Sequence, residues 1–187
     1  MRIQSRHPLA ARGPDAYFTP PEATKALLKL EKLPHLIWEP ACGDGAITKV
    51  LIAAGHAVRS TDLYDYGWGE SGVDYLAAPS WTAEAIVTNP PYILAEEFLS
   101  KALNDAPYVA FLLRTNFLES VSRLRMFRKF PPIRVWISSR RLPMMHRHGW
   151  NGPRNGSNVC YAWFIWERGY AGAPSIGWFD WREVVDR

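Results

Sequence analysis

Residues 36–45 read Leu-Ile-Trp-Glu-Pro-Ala-Cys-Gly-Asp-Gly, and they set the architecture of the chain. An apolar run leads into an acidic residue and then into a tight turn with two glycines. The next residues, 46–54, carry the pattern of a helix. Glycines in such a turn let the backbone approach a ligand closely. The stretch therefore predicts a strand, a ligand-binding turn and a helix, the first unit of an open α/β sheet.

The segment that follows supports this interpretation. A second apolar run at 57–61 ends at Asp62, and an acidic residue about 20 positions beyond a glycine turn suits hydrogen bonding to a ribose diol. The alternative for Asp62 is an ordinary acid at a strand end. The turn does not complete the Gly-x-Gly-x-x-Gly pattern, because Thr48 occupies the third glycine position. This departure counts against a nicotinamide enzyme.

Helical and strand patterns alternate along the chain, which indicates a mostly parallel sheet. Thr19 is a candidate cap for the first helix, which has prolines at its start. The last two strands are expected to form an antiparallel pair. The predicted helices are 21–33, 46–54, 95–104 and 119–130, and the predicted strands are 35–38, 57–61, 85–88, 108–114, 133–138 and 159–166.

A four-residue turn, Asn89-Pro90-Pro91-Tyr92, follows the buried strand predicted at 85–88. Ligands in open α/β sheets bind beyond the carboxyl ends of the strands. There the Asn89 amide oxygen and the Pro90 carbonyl can accept both hydrogens of a planar amino group, while Tyr92 stacks on the ring that bears it. These groups together suit the methylation of an exocyclic amine. A simple proline turn is the alternative, and the position directly after a strand disfavours it.

These motifs, in this order, resemble the S-adenosylmethionine-dependent adenine-N6 methyltransferases with the gamma-type motif order. Residues 15–22 resemble that family's first cofactor motif, residues 39–45 its glycine motif and Asp62 its ribose acid. Asp74-Tyr75-Leu76 resembles the acid and aromatic pair that flank the cofactor adenine, and residues 89–92 resemble the catalytic motif. The similarity extends over residues 15–118, and small stand-alone enzymes that resemble this chain occur in phages and prophages.

The resemblance implies a Rossmann-like class I methyltransferase fold, with a seven-stranded, mostly parallel sheet, an antiparallel last strand and helices on both faces. It implies methyl transfer from S-adenosylmethionine to N6 of adenine in DNA, which leaves S-adenosylhomocysteine. Glu39 would meet the cofactor's ammonium group or only cap the glycine turn, and Asp74 could be a plain turn acid. The implied catalytic residues are Asn89, Pro90, Pro91 and Tyr92. The implied cofactor-binding residues are Tyr17, Thr19, Glu39, Ala41, Gly43, Asp44, Gly45, Asp62, Leu63, Asp74, Tyr75 and Asn89.

Basic residues concentrate in the second half of the chain, where no acidic residue occurs between Glu119 and Glu167. A one-sided basic region is the electrostatic footprint expected for phosphate backbones, although a solvated helix face gives the same pattern. Part of it lies in a long loop, 144–158, which holds the target nucleotide, closes the pocket or is a mobile surface loop. An adenine in a duplex must flip out of the stack, and Trp150 and Met145 are candidates to support it. The residues expected to bind DNA or RNA are Arg140, Arg141, His146, Arg147, His148, Trp150 and Arg154.

The length of 187 residues predicts one domain, with a basic arm at 1–14, a catalytic domain at 15–169 and an extension of unclear packing at 170–187. No apolar run is long enough to span a bilayer, and the arm lacks the apolar core of a secretory signal. Two cysteines, Cys42 and Cys160, give no disulfide framework, which favours a reducing cytoplasm. The resemblance implies that this is the cytoplasm of a bacterium or a phage-infected host cell. No metal site is expected, because His146 and His148 are too few ligands for a catalytic zinc.

Three alternative functions share parts of this pattern. The Asn-Pro-Pro-Tyr turn also occurs in adenine methyltransferases of ribosomal or transfer RNA and in protein glutamine-N5 methyltransferases, which normally carry an extra N-terminal helical domain. The third alternative is an inactive nucleic-acid-binding subunit, against which the intact motifs argue. Restriction enzymes of the gamma type carry a large target-recognition domain, for which this chain has no room. Little or only short sequence specificity is therefore expected, and the sequence does not separate DNA from RNA.

Overall fold

A computed structural model of the chain describes residues 19–144 and 159–185. The strands in this part are β1 (Leu36–Glu39), β2 (Ala57–Ser60), β3 (Ala85–Thr88), β4 (Tyr108–Arg114), β5 (Arg134–Ser138), β6 (Tyr161–Glu167) and β7 (Ser175–Phe179). The helices are α1 (Pro21–Leu30), α2 (Ala46–Ala53), α3 (Ala95–Asp105), α4 (Val121–Lys129) and α5 (Trp181–Val185), and short 3₁₀ turns occupy Tyr92–Leu94 and Thr115–Leu118. The seven strands form one sheet in the order β2-β1-β3-β4-β6-β5-β7.

The sheet is parallel except at β6, which runs antiparallel to both of its neighbours, β4 and β5. The predicted Rossmann-like class is thereby confirmed, together with the antiparallel pairing of β5 and β6. The last strand of the chain is β7, which pairs in parallel with β5 at the sheet edge. The sequence prediction left this segment unplaced because an edge strand needs little burial. Of its five residues only Phe179 is buried, while Ile176 and Trp178 are exposed.

Helices cover both faces of the central strands. All of β3 and the first six residues of β4 are buried, which is usual for strands between two helical layers. On one face, Leu27 of α1 and Leu51 of α2 pack against the sheet, and on the other face Phe98 and Leu99 of α3 do so. The indole N–H of Trp163 in β6 donates to a carbonyl of α1 at 2.8 Å and fixes that helix on the sheet.

The first helix ends at Leu30, three residues earlier than predicted, because the next residue takes part in a tertiary contact. Glu31 adopts an extended conformation, and its carboxylate accepts hydrogen bonds from Arg134 at 2.6 and 2.7 Å. The Trp136 indole donates to the same carboxylate at 2.7 Å and the Tyr108 hydroxyl at 2.8 Å. Glu31 thus links the end of α1 to β4 and β5. Its contacts end the helix before the chain reaches Pro34.

The arrangement of β1, β2 and β3 creates the crevice in which ligands bind in such sheets. From β1 the chain moves outward to β2 on one side and then returns to β3 on the other side. Ligands of open α/β folds bind beyond the carboxyl ends of the strands where the order reverses. The glycine turn follows β1, Asp62 follows β2 and Asn89 follows β3, so the fold brings the three predicted motifs to this point. Within residues 19–144 and 159–185, no helix has the length and apolar character needed to cross a membrane.

Candidate active site

A cavity of about 360 Å³ opens at the carboxyl ends of β1, β2 and β3. Its wall contains the predicted catalytic turn, residues 89–92, and nearly all of the predicted cofactor-binding residues that the structure describes. Those residues are Thr19, Glu39, Ala41, Gly43, Asp44, Asp62, Leu63, Asp74, Tyr75 and Asn89. Gly45 lies outside the wall, and Tyr17 lies outside the described residues. The fold therefore gathers into one cavity a set of residues that spans 71 positions of the sequence, from 19 to 89.

Glycine is required at position 45 for a reason that the sequence does not show. Gly45 has a left-handed backbone, with φ of 76°, and the Trp68 indole packs against it. A Cβ atom at this position would lie 2.4 Å from ring atoms of Trp68, which is closer than side chains tolerate. The Lys49 ammonium lies 4.6 Å from the centroid of the same ring. Gly45 therefore shapes the turn from behind, while Gly43, with φ of 54°, faces the cavity.

Asp62 is held by the backbone on both sides. Its Oδ2 accepts the Gly43 N–H at 2.9 Å, and its Oδ1 accepts the Tyr64 N–H at 2.9 Å. Each carboxylate oxygen can accept a further hydrogen bond, so the group still suits a diol. Burial raises the pKa of Asp62, and the hydrogen bonds from Tyr64 and Gly43 partly offset that rise.

Glu39 lies at the back of the glycine turn, and only 1% of it is exposed. The Thr48 hydroxyl of α2 donates to its Oε2 and also lies 2.7 Å from the Ser60 hydroxyl of β2. Burial raises the pKa of Glu39 well above its ordinary value, which the bond from Thr48 partly offsets. Thr48 is the residue that breaks the third glycine position, and in this fold it is the donor that satisfies a buried acid. Where the third glycine of the pattern would allow close packing of the helix, this chain has a polar contact between Thr48 and Glu39.

Asp74 and Tyr75 both reach the cavity but differ in their surroundings. The Asp74 Oδ1 accepts the Leu76 N–H at 3.0 Å, as a turn acid does. Tyr75 is 2% exposed, with its ring 5.0 Å from that of Trp38 and 4.9 Å from that of Phe98. Its ring therefore belongs to the core and contributes an apolar floor to the cavity. Leu63, which is 49% exposed, lies at the rim.

The catalytic turn is linked to the segment before α1. The Asn89 amide nitrogen donates to the Thr19 hydroxyl at 3.2 Å, and Thr19 is buried. The prediction that Thr19 caps α1 is wrong, because Pro20 occupies the cap position and no side chain caps this end. The hydroxyl serves Asn89 instead. This bond spans 70 residues and fixes the plane of the Asn89 side chain.

Tyr92 is surrounded by groups from β4 and β6. Its ring centroid lies 4.2 Å from the guanidinium carbon of Arg114 and 6.1 Å from the ring of Tyr161. Burial raises the pKa of the Tyr92 hydroxyl well above its ordinary value, the Tyr161 hydroxyl raises it further, and Arg114 and Asn89 offset part of this rise. The hydroxyl therefore keeps its proton at neutral pH.

Several residues of the site escaped the sequence analysis. Tyr64 and Tyr66 follow Asp62 directly and line the cavity, with Tyr64 52% exposed. Their position in the run after a strand-end acid was a signal that could have identified them. Ile93, which is 81% exposed at the cavity mouth, carried no such signal. Arg114 could have been noticed as a cation that ends a buried strand.

Cys42 lines the cavity without the environment of a nucleophile. It is buried, and burial, together with the charges of Glu39 and Asp62, raises the pKa of its thiol to about 12. Its sulfur lies 3.6 Å from the Trp68 carbonyl oxygen. The side chain packs the glycine turn against the loop after β2.

The predicted nucleic-acid contacts are only partly within the described residues. Arg140 forms an ion pair with Asp180 at 2.8 Å, in addition to hydrogen bonds from its Nε. Arg141 is exposed, and its carbonyl oxygen accepts the Trp181 indole N–H at 3.2 Å. Both residues follow β5 and lie at the carboxyl edge of the sheet. The residues outside the described part are Met145, His146, Arg147, His148, Trp150 and Arg154, as are the loop at 145–158 and the arm at 1–14.

The basic region carries less unpaired charge than its composition indicates. Arg123 pairs with Glu96 at 2.9 Å, and Arg134 pairs with Glu31 at 2.6 Å. Arg123 also donates to the carbonyl oxygens of three residues in the turn before α4. The exposed basic residues of α4 are Arg125, Arg128 and Lys129. These three define what is called here the α4 basic face.

No family model and no curated protein matches the sequence. The structure is similar to a protein from Pyrococcus horikoshii proposed to be an RNA methyltransferase, with a TM-score of 0.63 and 12% identity over 82% of this chain and 87% of that one. It is also similar to the methyltransferase subunit of a type I restriction-modification system from Streptococcus thermophilus, with a TM-score of 0.60 and 11% identity. That similarity covers 83% of this chain but 45% of the subunit.

A third similar structure has its ligand in place. Magnesium protoporphyrin IX methyltransferase from Synechocystis, with S-adenosylmethionine bound, has a TM-score of 0.53 and 12% identity over 78% of this chain and 76% of that one. At these identities the similarity concerns the fold, whatever the substrate of each protein. The chain has the Rossmann-like fold of class I methyltransferases, with its cavity at the carboxyl edge of the sheet.

Proposed function

We propose that this protein transfers a methyl group from S-adenosylmethionine to the exocyclic N6 of adenine in DNA. One observation carries the proposal. Asn89 at the end of β3 and Asp62 after β2 line the same cavity, on either side of the glycine turn that follows β1. Asn89, which suits an amine, and Asp62, which suits a ribose, thus lie within reach of one bound cofactor.

The described residues suit S-adenosylmethionine in chemistry and in size. The cavity of about 360 Å³ is within the ordinary range for small-molecule sites. Asp62 can accept the two ribose hydroxyls, while Leu63, Tyr75 and Phe98 offer apolar surface to the adenine. Glu39, behind the turn, offers a carboxyl oxygen to the ammonium group. The bound cofactor would supply a methyl group activated by a positively charged sulfonium.

The catalytic turn has the groups that such a transfer needs. An aromatic amine is a poor nucleophile, because its lone pair is conjugated into the ring. Acceptance of both N–H hydrogens by the Asn89 side chain and the Pro90 carbonyl favours a more tetrahedral nitrogen. Positive charge grows on that nitrogen during attack, so the same oxygens stabilise the transition state more than the ground state. Alignment of nitrogen and methyl group alone can contribute about 7 to 11 kcal/mol.

Nucleic acid is the substrate class that best matches the rest of the molecule. Tyr92 would stack on the target base, and a base inside a duplex would have to flip out to reach it. The α4 basic face and Arg141 carry positive charge for the phosphates. Both the duplex and the single-stranded form of DNA satisfy these requirements.

RNA is the second candidate. The observation that favours it is the structural similarity to the Pyrococcus horikoshii protein, which covers most of both chains. Adenine presents the same amino group in both polymers, so the choice depends on contacts to sugar and backbone. The 2′-hydroxyl is the group that lets a protein distinguish them.

Transfer of an isotopically labelled methyl group tests both candidates in one experiment. The protein is incubated with labelled S-adenosylmethionine and duplex DNA, single-stranded DNA, total RNA or a peptide pool, and digested nucleosides are identified by mass spectrometry. N6-methyladenine in DNA is the expected product. Label found only in RNA would identify RNA and not DNA as the substrate. Label found only in peptide would exclude both nucleic acids.

Asn89→Ala tests the catalytic assignment. The variant should lose about 100-fold in turnover, because it lacks an acceptor for the developing charge. Its affinity for S-adenosylhomocysteine should change little. Asn104→Ala is the matched control, since Asn104 is exposed on α3 and its amide donates to the Ser100 carbonyl. Full activity in the Asn89 variant would remove the proposed role.

A further inference from the structure

Arg114 is the residue through which β4 reaches the catalytic turn. β4 pairs in parallel with β3, with Phe111 opposite Thr88, so Arg114 ends its strand beside the turn that follows β3. Its guanidinium carbon lies 4.2 Å from the centroid of the Tyr92 ring. On the next strand, Tyr161 lies directly opposite Arg114, and its ring is 6.1 Å from that of Tyr92. Two strand-end side chains therefore determine where the Tyr92 ring lies.

The planar guanidinium of Arg114 lies over the Tyr92 ring, and a flexible cation would not reproduce this contact. Arginine is planar, stacks on aromatic faces and keeps its charge at any physiological pH. Arg114 is half-buried, and β4 is buried over its first six residues, so the backbone that holds the guanidinium is rigid. The guanidinium therefore restrains the orientation of the Tyr92 ring.

We propose that Arg114 is a positioning residue that sets the plane of the Tyr92 ring, on which the target base is expected to stack. This inference rests on the proposed function, because it specifies how the same site receives an adenine. Arg114 contacts Tyr92 and is absent from the cavity wall, so it acts through the Tyr92 ring and not on the reacting atoms.

The test compares Arg114→Met and Arg114→Lys with wild type, alone and combined with Tyr92→Ala. Methionine keeps much of the length of arginine without its charge, and lysine keeps the charge without the planar group. Arg114→Met should lower kcat about tenfold, because a rate change of this size corresponds to the loss of one partly desolvated cation–π contact. Arg114→Lys should recover about a third of that loss on a logarithmic scale. The KM for DNA and the affinity for S-adenosylhomocysteine should stay within about twofold of wild type, because Arg114 is absent from the cavity wall.

The double variant gives the strictest comparison. If Arg114 acts only through the ring, Arg114→Met has no further effect in the Tyr92→Ala background. An equal loss in both backgrounds would overturn the inference. So would a loss that falls on the KM for DNA with a smaller salt slope, since it would make Arg114 a phosphate contact.

A fluorescence measurement separates positioning from general damage. An oligonucleotide whose single adenine is replaced by 2-aminopurine should be quenched by stacking on Tyr92 in wild type and less so in Arg114→Met. Arg182→Met is the matched control, because it removes an arginine whose guanidinium carbon lies 5.4 Å from the ring centroid of Trp181 in α5. If Arg114→Met does not fold, Arg114→Lys carries the comparison.

Failure of this inference differs from failure of the proposed function. A wild-type protein that transfers no methyl group to any nucleic acid overturns both. A wild-type protein that methylates DNA, with Arg114→Met equal to it in kcat and in quenching, overturns the role of Arg114 alone.

Discussion

The Gly43 backbone N–H donates to Asp62 Oδ2 at 2.9 Å, and this bond joins two motifs that lie 19 residues apart. The turn after β1 and the acid after β2 are therefore fixed against each other by the fold. A site whose groups are already in place loses less free energy on ligand binding, because fewer side chains must be ordered. Asp62 accordingly holds the glycine turn, and in the proposed function it also receives the ribose of the cofactor.

Asp62→Asn should weaken binding of S-adenosylhomocysteine by about tenfold or more, because a charged acceptor of two hydroxyls becomes a neutral amide with one oxygen. Titration calorimetry measures the affinity. Asp65→Asn is the control, since Asp65 is exposed and its carboxylate accepts the Gly67 N–H at 2.8 Å. The cofactor assignment fails if wild-type protein shows neither heat nor a thermal shift at about 1 mM ligand.

Glu39 should make the protein less stable as the pH rises. Its pKa in the folded protein is raised by burial above the value in the unfolded chain. The folded state therefore keeps a proton that the unfolded state has already lost. Stability from this proton is fully present below the ordinary range of a glutamic acid and is lost as the pH rises through the folded pKa. Denaturant unfolding of the ligand-free protein at a series of pH values measures this dependence.

Substitutions separate Glu39 from its neighbour. Glu39→Gln should flatten the pH dependence, because an amide neither ionises nor loses a proton in this range. Burial also raises the pKa of Asp62. Asp62→Asn should therefore remove the contribution of Asp62 to the pH dependence of stability and leave the contribution of Glu39. An equal pH dependence in wild type and Glu39→Gln would contradict the buried, protonated state of this acid.

Sequence patterns located the site because its motifs are local. An apolar run before a glycine turn and an apolar run before Asn89 each predict a strand and its carboxyl end from a few neighbouring residues. The parallel sheet then brings these ends together, so Asp62 and Asn89 could be assigned to one site before the structure was known. Local signals were sufficient wherever the function of a residue depends on the strand that precedes it.

Contacts between distant residues could not be predicted in the same way. The end of α1 depends on Arg134, which lies 103 residues after Glu31 in the sequence. Thr19 has a helix-cap pattern, yet its partner is Asn89, 70 residues away. The strand β7 carries little burial and pairs in parallel with β5 at the sheet edge. In each case the decisive partner is chosen by the tertiary fold and leaves no trace in neighbouring residues.

Glu31→Gln should lower the free energy of unfolding by about 2 kcal/mol, because charged hydrogen bonds from Arg134, Trp136 and Tyr108 are weakened. Burial alone would raise the pKa of Glu31, but the hydrogen bonds from Arg134, Trp136 and Tyr108 lower it below its ordinary value. Its contribution is therefore present above that value and is lost as the pH falls through the folded pKa. Urea unfolding at neutral and acidic pH measures both effects, with Glu97→Gln on the exposed side of α3 as control. A variant as stable as wild type at neutral pH would contradict the anchoring role.

Arg140 and the α4 basic face should differ in their effect on nucleic acid. Arg140 is paired with Asp180, so part of its charge is already neutralised by the protein. Arg125 and Arg128 are exposed on α4, and no carboxylate of the described residues lies within 4 Å of them. Phosphate contacts release counterions in proportion to the charge that is free to meet them. The α4 residues are therefore the stronger candidates for backbone binding.

Arg125→Gln combined with Arg128→Gln should weaken DNA binding to a similar extent for all sequences, because phosphates carry no base identity. The slope of log affinity against log salt should fall by about one for each contact removed, and the affinity for S-adenosylhomocysteine should not change. Arg140→Gln should reduce the slope less. Lys25→Gln, which removes a charge from the exposed side of α1, serves as control and should leave the slope unchanged. Fluorescence anisotropy with unrelated duplexes at several salt concentrations measures these slopes. A wild-type affinity that does not depend on salt, or a loss confined to one sequence, would remove the electrostatic basis of substrate binding.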